Sequence, residues 1–315
     1  MIKFVSATVV LWSRSPTMSN HFIFGCGFLG YRLAKRLMAE GGRVSTITRS
    51  EAKAQRLHSE GIEATVVDPA DWSAWASQLA GTTLASITIC IGNDRQQGQD
   101  HTTIYLSATR AAMSLSRRQP SDSCPIQFVS TTGVYARASE RDNCHSAAEV
   151  FRLPSETFDE SAPLGPERPG AIASVACEEL LKTECAVPYC SFRLAGIYSL
   201  ERIPNLQQLK SGSPMVGSAD GWLNLIHVED AASILSYAVT RPPSWSVLNV
   251  CDGHPVRRRD FYGFLSESLR CPPPVFTEVG GRSSNQKYID NRRLRTWYLA
   301  PWQFPSYREG LAGAT

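Results

Sequence analysis

A short apolar run, His21–Phe24, leads without a spacer into Gly25-Cys26-Gly27-Phe28-Leu29-Gly30, and a helical pattern starts inside that turn. Leu29, Leu33 and Leu37 recur at i, i+4 and i+8, and Gly41-Gly42 ends the pattern. In a Gly-x-Gly-x-x-Gly turn between strand and helix, the first glycine permits the tight turn. The second lets the backbone approach a pyrophosphate, and the third lets helix pack closely on strand. The helix N-terminus then aims unpaired N–H groups and partial positive charge at the phosphates. Gly25, Cys26, Gly27, Phe28, Leu29 and Gly30 are the expected cofactor-binding residues; a purely structural tight turn is the competing reading.

The pattern continues downstream. Val44–Thr48 reads as a second strand, Glu51–Glu60 as a polar helix, and a third strand ends in Val66-Val67-Asp68. Leu84–Ile91 is a fourth, fully apolar strand; Ile104, Ala108, Ala111, Ala112 and Leu115 mark a long helix, and Ile126–Ser130 a fifth strand. Strands that alternate with helices and are themselves nearly all apolar predict a parallel sheet covered on both faces. Ala136–Gly170 is polar, carries four prolines and has no period, which predicts a long, functional or disordered loop. A helix at Ala171–Thr183 and a strand at Tyr189–Arg193 follow; Leu225–Val228 and Val247–Val250 are expected to rejoin the sheet around a helix near Ala231–Val239. Phe261, Leu265 and Leu269 mark a last amphipathic helix, ended by Cys271-Pro272-Pro273-Pro274.

The expected fold is α/β, a Rossmann-type doubly wound parallel sheet with a smaller C-terminal substrate lobe. Residues 18–194, rejoined by 224–251, would form the dinucleotide domain, and 195–223 with 252–315 the lobe. Residues 1–17 faintly mimic a secretory signal but lack a small-x-small cleavage site, so they read as an N-terminal extension before Met18.

With 32 basic against 29 acidic residues the net charge is +3, too balanced for a nucleic-acid or anionic-membrane partner. No apolar run reaches the ~20 residues of a membrane-spanning helix. Nine scattered cysteines with no Cys-x-x-Cys pair predict reduced thiols in a cytoplasmic protein and no metal site. The expected partner is a small-molecule substrate; the oligomeric state is open.

About twenty residues beyond the glycine turn, an acidic residue would hold the ribose hydroxyls of NAD. Here the second strand ends in Thr48-Arg49-Ser50, and Arg49 has the planar donor fork that suits a 2′-phosphate. This favours NADP over NAD, with Arg49 and Ser50 as cofactor contacts. Arg49 as an ordinary exposed strand-end residue is the alternative. Asp68 either meets the adenine or caps the next helix.

Several later segments, taken in order, resemble the short-chain dehydrogenase/reductase superfamily, in its extended, NAD-dependent epimerase/dehydratase branch. Phe128-Val129-Ser130-Thr131-Thr132-Gly133-Val134-Tyr135 looks like that family's fifth strand and active-site Ser/Thr segment. Asp159-Glu160-Ser161-Ala162-Pro163 looks like the stretch ahead of its catalytic helix. Phe192–Tyr198, Ile226–Asp230 and Asn249–Asp252 match later landmarks, so the resemblance runs from about Ser19 to Leu311. Its Gly-x-Gly-x-x-Gly form, with Phe24 where extended members carry their first glycine, is similar to the atypical epimerase-like subgroup.

The resemblance implies that Thr131 is the catalytic Ser/Thr, which hydrogen-bonds the reacting oxygen. It also implies a Tyr-x-x-x-Lys pair on one helix face, the Lys lowering the Tyr pKa so that it trades a proton. Alignment on Ser174 and Glu179 puts Ala171 at the Tyr position and Val175 at the Lys position. No Tyr or Lys lies between Tyr135 and Lys182. Tyr198, Tyr135 or a residue of the Ala136–Gly170 loop are the replacement proton donors to consider. Lys182 reads as a solvated helix-end residue, His227 as a structural histidine or a general base, and Arg202 as a substrate-side cation or a surface residue. Leu225 stands where the family group often has an arginine, which argues against a nucleotide sugar. Arg257-Arg258-Arg259 reads as a solvated face, and Cys144-His145 lacks the spacing of a nucleophile and its base. The expected function is an NAD(P)-dependent oxidoreductase or epimerase/dehydratase-like enzyme for a small hydroxyl or carbonyl compound, sugar-like compounds included. The alternative is a catalytically inactive NAD(P)-binding sensor or interaction protein.

Overall fold

The computed structural model of the protein describes residues 19–76, 83–92, 100–119, 124–136, 157–277 and 287–314. The expected extension at 1–17 and the Cys144-His145 pair lie outside them. The first half alternates strand and helix: β1 (Asn20–Phe24), α1 (Phe28–Ala39), β2 (Arg43–Thr48), α2 (Glu51–Ser59), β3 (Glu63–Val66), α3 (Trp72–Ala76), β4 (Ser86–Ile89), α4 (His101–Arg117) and β5 (Ile126–Thr131). The middle holds β6 (Thr157–Phe158), α5 (Pro169–Glu184), β7 (Tyr189–Leu194), β8 (Gly196–Tyr198), α6 (Leu206–Ser211), β9 (Met215–Val216), β10 (Trp222–Leu223), β11 (Leu225–His227), α7 (Val228–Thr240) and β12 (Val247–Val250). It closes with β13 (Val256–Arg257), α8 (Arg258–Leu269), β14 (Phe276–Thr277), β15 (Tyr288–Ile289), α9 (Arg292–Trp297) and α10 (Tyr307–Gly310).

Seven strands form one parallel sheet in the order β3-β2-β1-β4-β5-β7-β12. The apolar strands follow from burial on both faces. One core packs α1 and α7 on the sheet through Leu33, Leu37, Ile234 and Leu235, and the other packs α4 and α5 through Ala108, Ala112, Cys177 and Leu181. After β3 the chain crosses back to the far side of β1, so the strand order reverses between β1 and β4. Such a reversal is where open α/β sheets bind ligands, in the crevice beyond the carboxyl ends of the strands.

A third, separate core gathers Tyr198, Leu209, Met215, Phe261, Tyr262 and Leu265 from the C-terminal stretches. Val247–Val250 joins the main sheet beside β7 as expected, but Leu225–His227 does not. It pairs in parallel with Gly196–Tyr198 in a two-stranded sheet of its own. Within the expected loop, β6 pairs with β15, and α5 begins two residues early at Pro169, whose fixed φ suits a first helical position. Among the described residues no helix is long and apolar enough to cross a membrane.

Candidate active site

The glycine turn lies at the switch point between β1 and β4. Gly25 has φ +94°, and a Cβ there would sit 2.4 Å from the Cys90 carbonyl oxygen at the end of β4. A Cβ on Gly30 would lie 2.2 Å from the Gly25 carbonyl oxygen, so these two glycines close the turn on itself. Gly27 differs: a Cβ there would meet nothing within 4 Å. The helix it precedes has no side-chain cap and no acidic residue in its first turn, so its N–H donors and positive end face that open side unneutralised. These residues fit a dinucleotide phosphate. Cys26 and Leu29 point their side chains into the core, and burial pushes the Cys26 thiol up to about 11. The Phe28 ring is half-buried beneath the guanidinium groups of Arg32, 4.4 Å from its centroid, and Arg202, at 5.1 Å.

Arg49 is exposed at the carboxyl end of β2. Ser50 beside it accepts from the Lys53 N–H at 3.3 Å and caps α2, a structural duty that the sequence reading did not assign to it. Asp68 is exposed at the end of β3, where its backbone carbonyl accepts from the Asp71 N–H at 2.9 Å.

Thr131 is the last residue of β5. Its Oγ1 accepts from the Gly133 N–H at 3.1 Å, which leaves the hydroxyl proton for another acceptor. Helix α5 runs against this turn, since a Cβ on Gly133 would lie 3.6 Å from the Ala171 Cβ. Ala171 therefore faces the Thr131 turn. Val175, one helical turn on, packs half-buried with Val134, Tyr135 and Phe158. The only lysine of α5, Lys182, is exposed near its far end and pairs with Glu179 at 3.5 Å.

The two tyrosines considered as replacement donors are both fully buried. Tyr135 donates to Asn249 Oδ1 at 2.7 Å and accepts from Arg193 Nη1 at 3.0 Å, and burial pushes its phenol up to about 12. Tyr198 lies in the C-terminal core with no hydrogen-bond partner among the described residues. Burial, followed by Asp252, Asp230 and Glu309, raises its phenol further. In this arrangement neither hydroxyl is open to a substrate. His227 is also buried; its Nδ1 accepts from the Glu229 N–H at 3.3 Å, and burial lowers its pKa to about 4, so it caps α7 as a neutral ring.

Sequence reasoning missed the network that fixes β5 against α5. Glu178 accepts from Ser130 Oγ at 2.5 Å and pairs with Arg193 Nη2 at 2.5 Å, all of them buried. An arginine in the middle of the apolar strand Tyr189–Leu194 was the available signal, because a buried charge needs a partner. The Arg257–Arg259 run is likewise more than a solvated face. Arg257 stacks 3.7 Å from the Trp222 centroid, and Arg258 donates to the Val216 carbonyl at 3.0 Å. Among the described residues no cluster of His, Cys, Asp or Glu could hold a metal ion.

Sheet order, glycine turn and the hydroxyl at the end of β5 together define a Rossmann-like α/β protein. The chain belongs to the NAD dependent epimerase/dehydratase family, whose model matches residues 22–251. Among curated proteins it is 25% identical over 257 residues to the Arabidopsis thaliana "Epimerase family protein SDR39U1 homolog, chloroplastic", covering 78% of this chain and 69% of that one. Among solved structures it is similar to the Bordetella bronchiseptica enzyme WbmH in complex with NAD+ (TM-score 0.74, 17% identity, 94% of this chain and 97% of that one). It is also similar to a Thermotoga maritima UDP-glucose 4-epimerase with UDP-glucose (TM-score 0.73, 16% identity, 93% and 96%). A functionally unknown conserved protein of Silicibacter pomeroyi matches at TM-score 0.70 and 22% identity over 94% of this chain and 98% of that one.

Proposed function

We propose that this chain binds NAD(P), with NADP preferred, and acts as an epimerase/dehydratase-like enzyme or oxidoreductase on a small hydroxyl or carbonyl compound. The observation that carries this reading is the open side of Gly27, at the uncapped N-terminus of α1 and in the crevice of the sheet. Gly25, Cys26, Gly27, Phe28, Leu29 and Gly30 form the phosphate turn, largely through backbone N–H groups. Arg49 would grip a 2′-phosphate, with Ser50 and Asp68 at the same edge. The separate core of Tyr198, Phe261 and Leu265 supports a substrate lobe built from residues 195–223 and 252–315.

When bound, the cofactor supplies hydride transfer. Thr131, its Oγ1 already engaged by Gly133, directs its O–H to the reacting oxygen and holds it in place. Ala171 and Val175 can move no proton, so α5 positions the Thr131 turn without acid–base chemistry. The proton must come from a group outside this helix. The test is NADPH oxidation across a panel of small carbonyl compounds with wild type and Thr131→Val. Turnover abolished in the variant supports the role of Thr131, and equal turnover removes it.

Burial of both Tyr135 and Tyr198, together with a helix that lacks the Tyr-x-x-x-Lys pair, favours a second reading. In it the chain binds the dinucleotide as a sensor or interaction protein without turning substrate over. Saturable nucleotide binding with no oxidation of NADPH by any carbonyl tested would select it.

A further inference from the structure

Two cations cover the Phe28 ring at the first residue of α1, and they differ in one respect. Arg32 is spoken for: its Nε donates to Glu229 at 2.8 Å, its Nη2 to Glu201 at 2.7 Å and its Nη1 to the Phe28 carbonyl at 3.0 Å. Arg202 is exposed and has no ion pair among the described residues. It comes from outside the seven-stranded sheet, on the turn between β8 and α6. That turn is pinned. Ser199 and Arg202 exchange backbone hydrogen bonds at 3.2 and 3.1 Å, and Ser199 Oγ accepts from the Glu201 N–H at 3.1 Å. Three residues on, Asn205 adopts φ +52° and ties its Nδ2 to the Tyr262 hydroxyl at 2.8 Å in the C-terminal core.

A guanidinium on a fixed turn, laid on the ring of a phosphate-turn residue and left without a carboxylate, is preorganised for an anion. We propose that Arg202 is a phosphate-binding residue, supplied from the C-terminal side of the crevice to the pyrophosphate of the dinucleotide. The inference rests on the reading that a dinucleotide binds at the glycine turn. It assigns a contact from outside that turn and makes nucleotide binding tie the two sides of the crevice together. Charge-assisted hydrogen bonds to phosphate are strong and directional, so removing this one is felt in affinity.

Calorimetric titration of wild type, Arg202→Gln and Arg202→Lys with NADPH, NADH and ADP-ribose tests it. Arg202→Gln should weaken the preferred nucleotide and ADP-ribose alike by about tenfold or more, with Arg202→Lys in between. The melting temperature of the unliganded variant should match wild type, because the side chain is exposed, while the nucleotide-induced rise should shrink. Wild-type binding with an unchanged Arg202→Gln affinity overturns the role of Arg202 alone. A loss confined to NADPH and NADH, with ADP-ribose unaffected, also overturns it, since the contact would then lie at the nicotinamide end. Wild type that binds none of the three overturns the dinucleotide reading itself, and this inference with it.

Discussion

Arg193 on β7 and Glu178 on α5 form a buried ion pair, Nη2 to Oε2 at 2.5 Å, and Glu178 also takes the Ser130 hydroxyl from the strand that ends in Thr131. Breaking one half of such a pair leaves a charge in the core. Glu178→Gln should cost on the order of 3 kcal/mol, whereas Arg193→Met combined with Glu178→Leu should recover much of the loss. Urea unfolding of Glu178→Gln, Arg193→Met and the double variant checks this. A double variant as unstable as the sum of the singles would show that the pair contributes more than its own desolvation cost.

The glycines of the turn should separate by the space around them. Gly30→Ala drives a methyl into the Gly25 carbonyl at 2.2 Å, and Gly25→Ala meets both the Cys90 carbonyl and a φ of +94°. Each should destabilise the fold by about 2 kcal/mol or more through backbone strain and overpacking. Gly27→Ala, with open space, should melt close to wild type. Thermal unfolding of the three unliganded variants decides the matter, and equal losses at all three positions would contradict the geometry.

Asp252 has one carboxylate oxygen accepting from the His254 N–H at 2.8 Å and the other without a partner among the described residues. Burial raises its pKa from 3.8 to about 7. The folded chain then holds more protons than the unfolded one between these values, so this group's contribution to stability is lost as pH rises through that window. Asp252→Asn should gain on wild type from pH 4 to 7, by a total on the order of 3 kcal/mol, and the gap should be flat above pH 7. Urea midpoints for both chains at a series of pH values test it. A gap independent of pH would refute the assignment.

His227 behaves with the opposite sign. Burial, with Arg32 adding to it, lowers its pKa from 6.5 to about 4, so the unfolded chain binds the extra proton and stability falls as pH drops through that window. His227→Gln should lose about 1 kcal/mol at pH 8 with the α7 cap, and should show a shallower acid loss between pH 6.5 and 4. Identical acid profiles for the two chains would contradict the buried, neutral ring.

Local signals in the chain made the first half of the fold legible. The glycine spacing and the leucine repeat from Leu29 to Leu37 fall within one βα unit, and short apolar runs set between helical patterns mark the strands. The pairing of Leu225–His227 with Gly196–Tyr198 was not legible, because a short apolar strand carries no mark of which sheet it joins. Tyr135 and Tyr198 look alike in sequence as proton donors and as core residues; only packing shows both hydroxyls buried. Ser50 was read only as a cofactor contact, and its capping of α2 was missed because a serine before an acidic first turn looks the same in either role. That α5 carries no tyrosine and a single lysine, Lys182, was legible at once, since it depends on residue identity alone.

Whether the phosphates of a dinucleotide rest on the open side of Gly27 is tested most directly by titrating NADPH and NADH into wild type and Gly27→Ala. Saturable one-site binding to wild type, tighter for NADPH, with a loss of about tenfold or more in a Gly27→Ala chain of unchanged melting temperature, is the expected result. Binding of neither nucleotide to wild type, or equal affinity in the two chains, would contradict it.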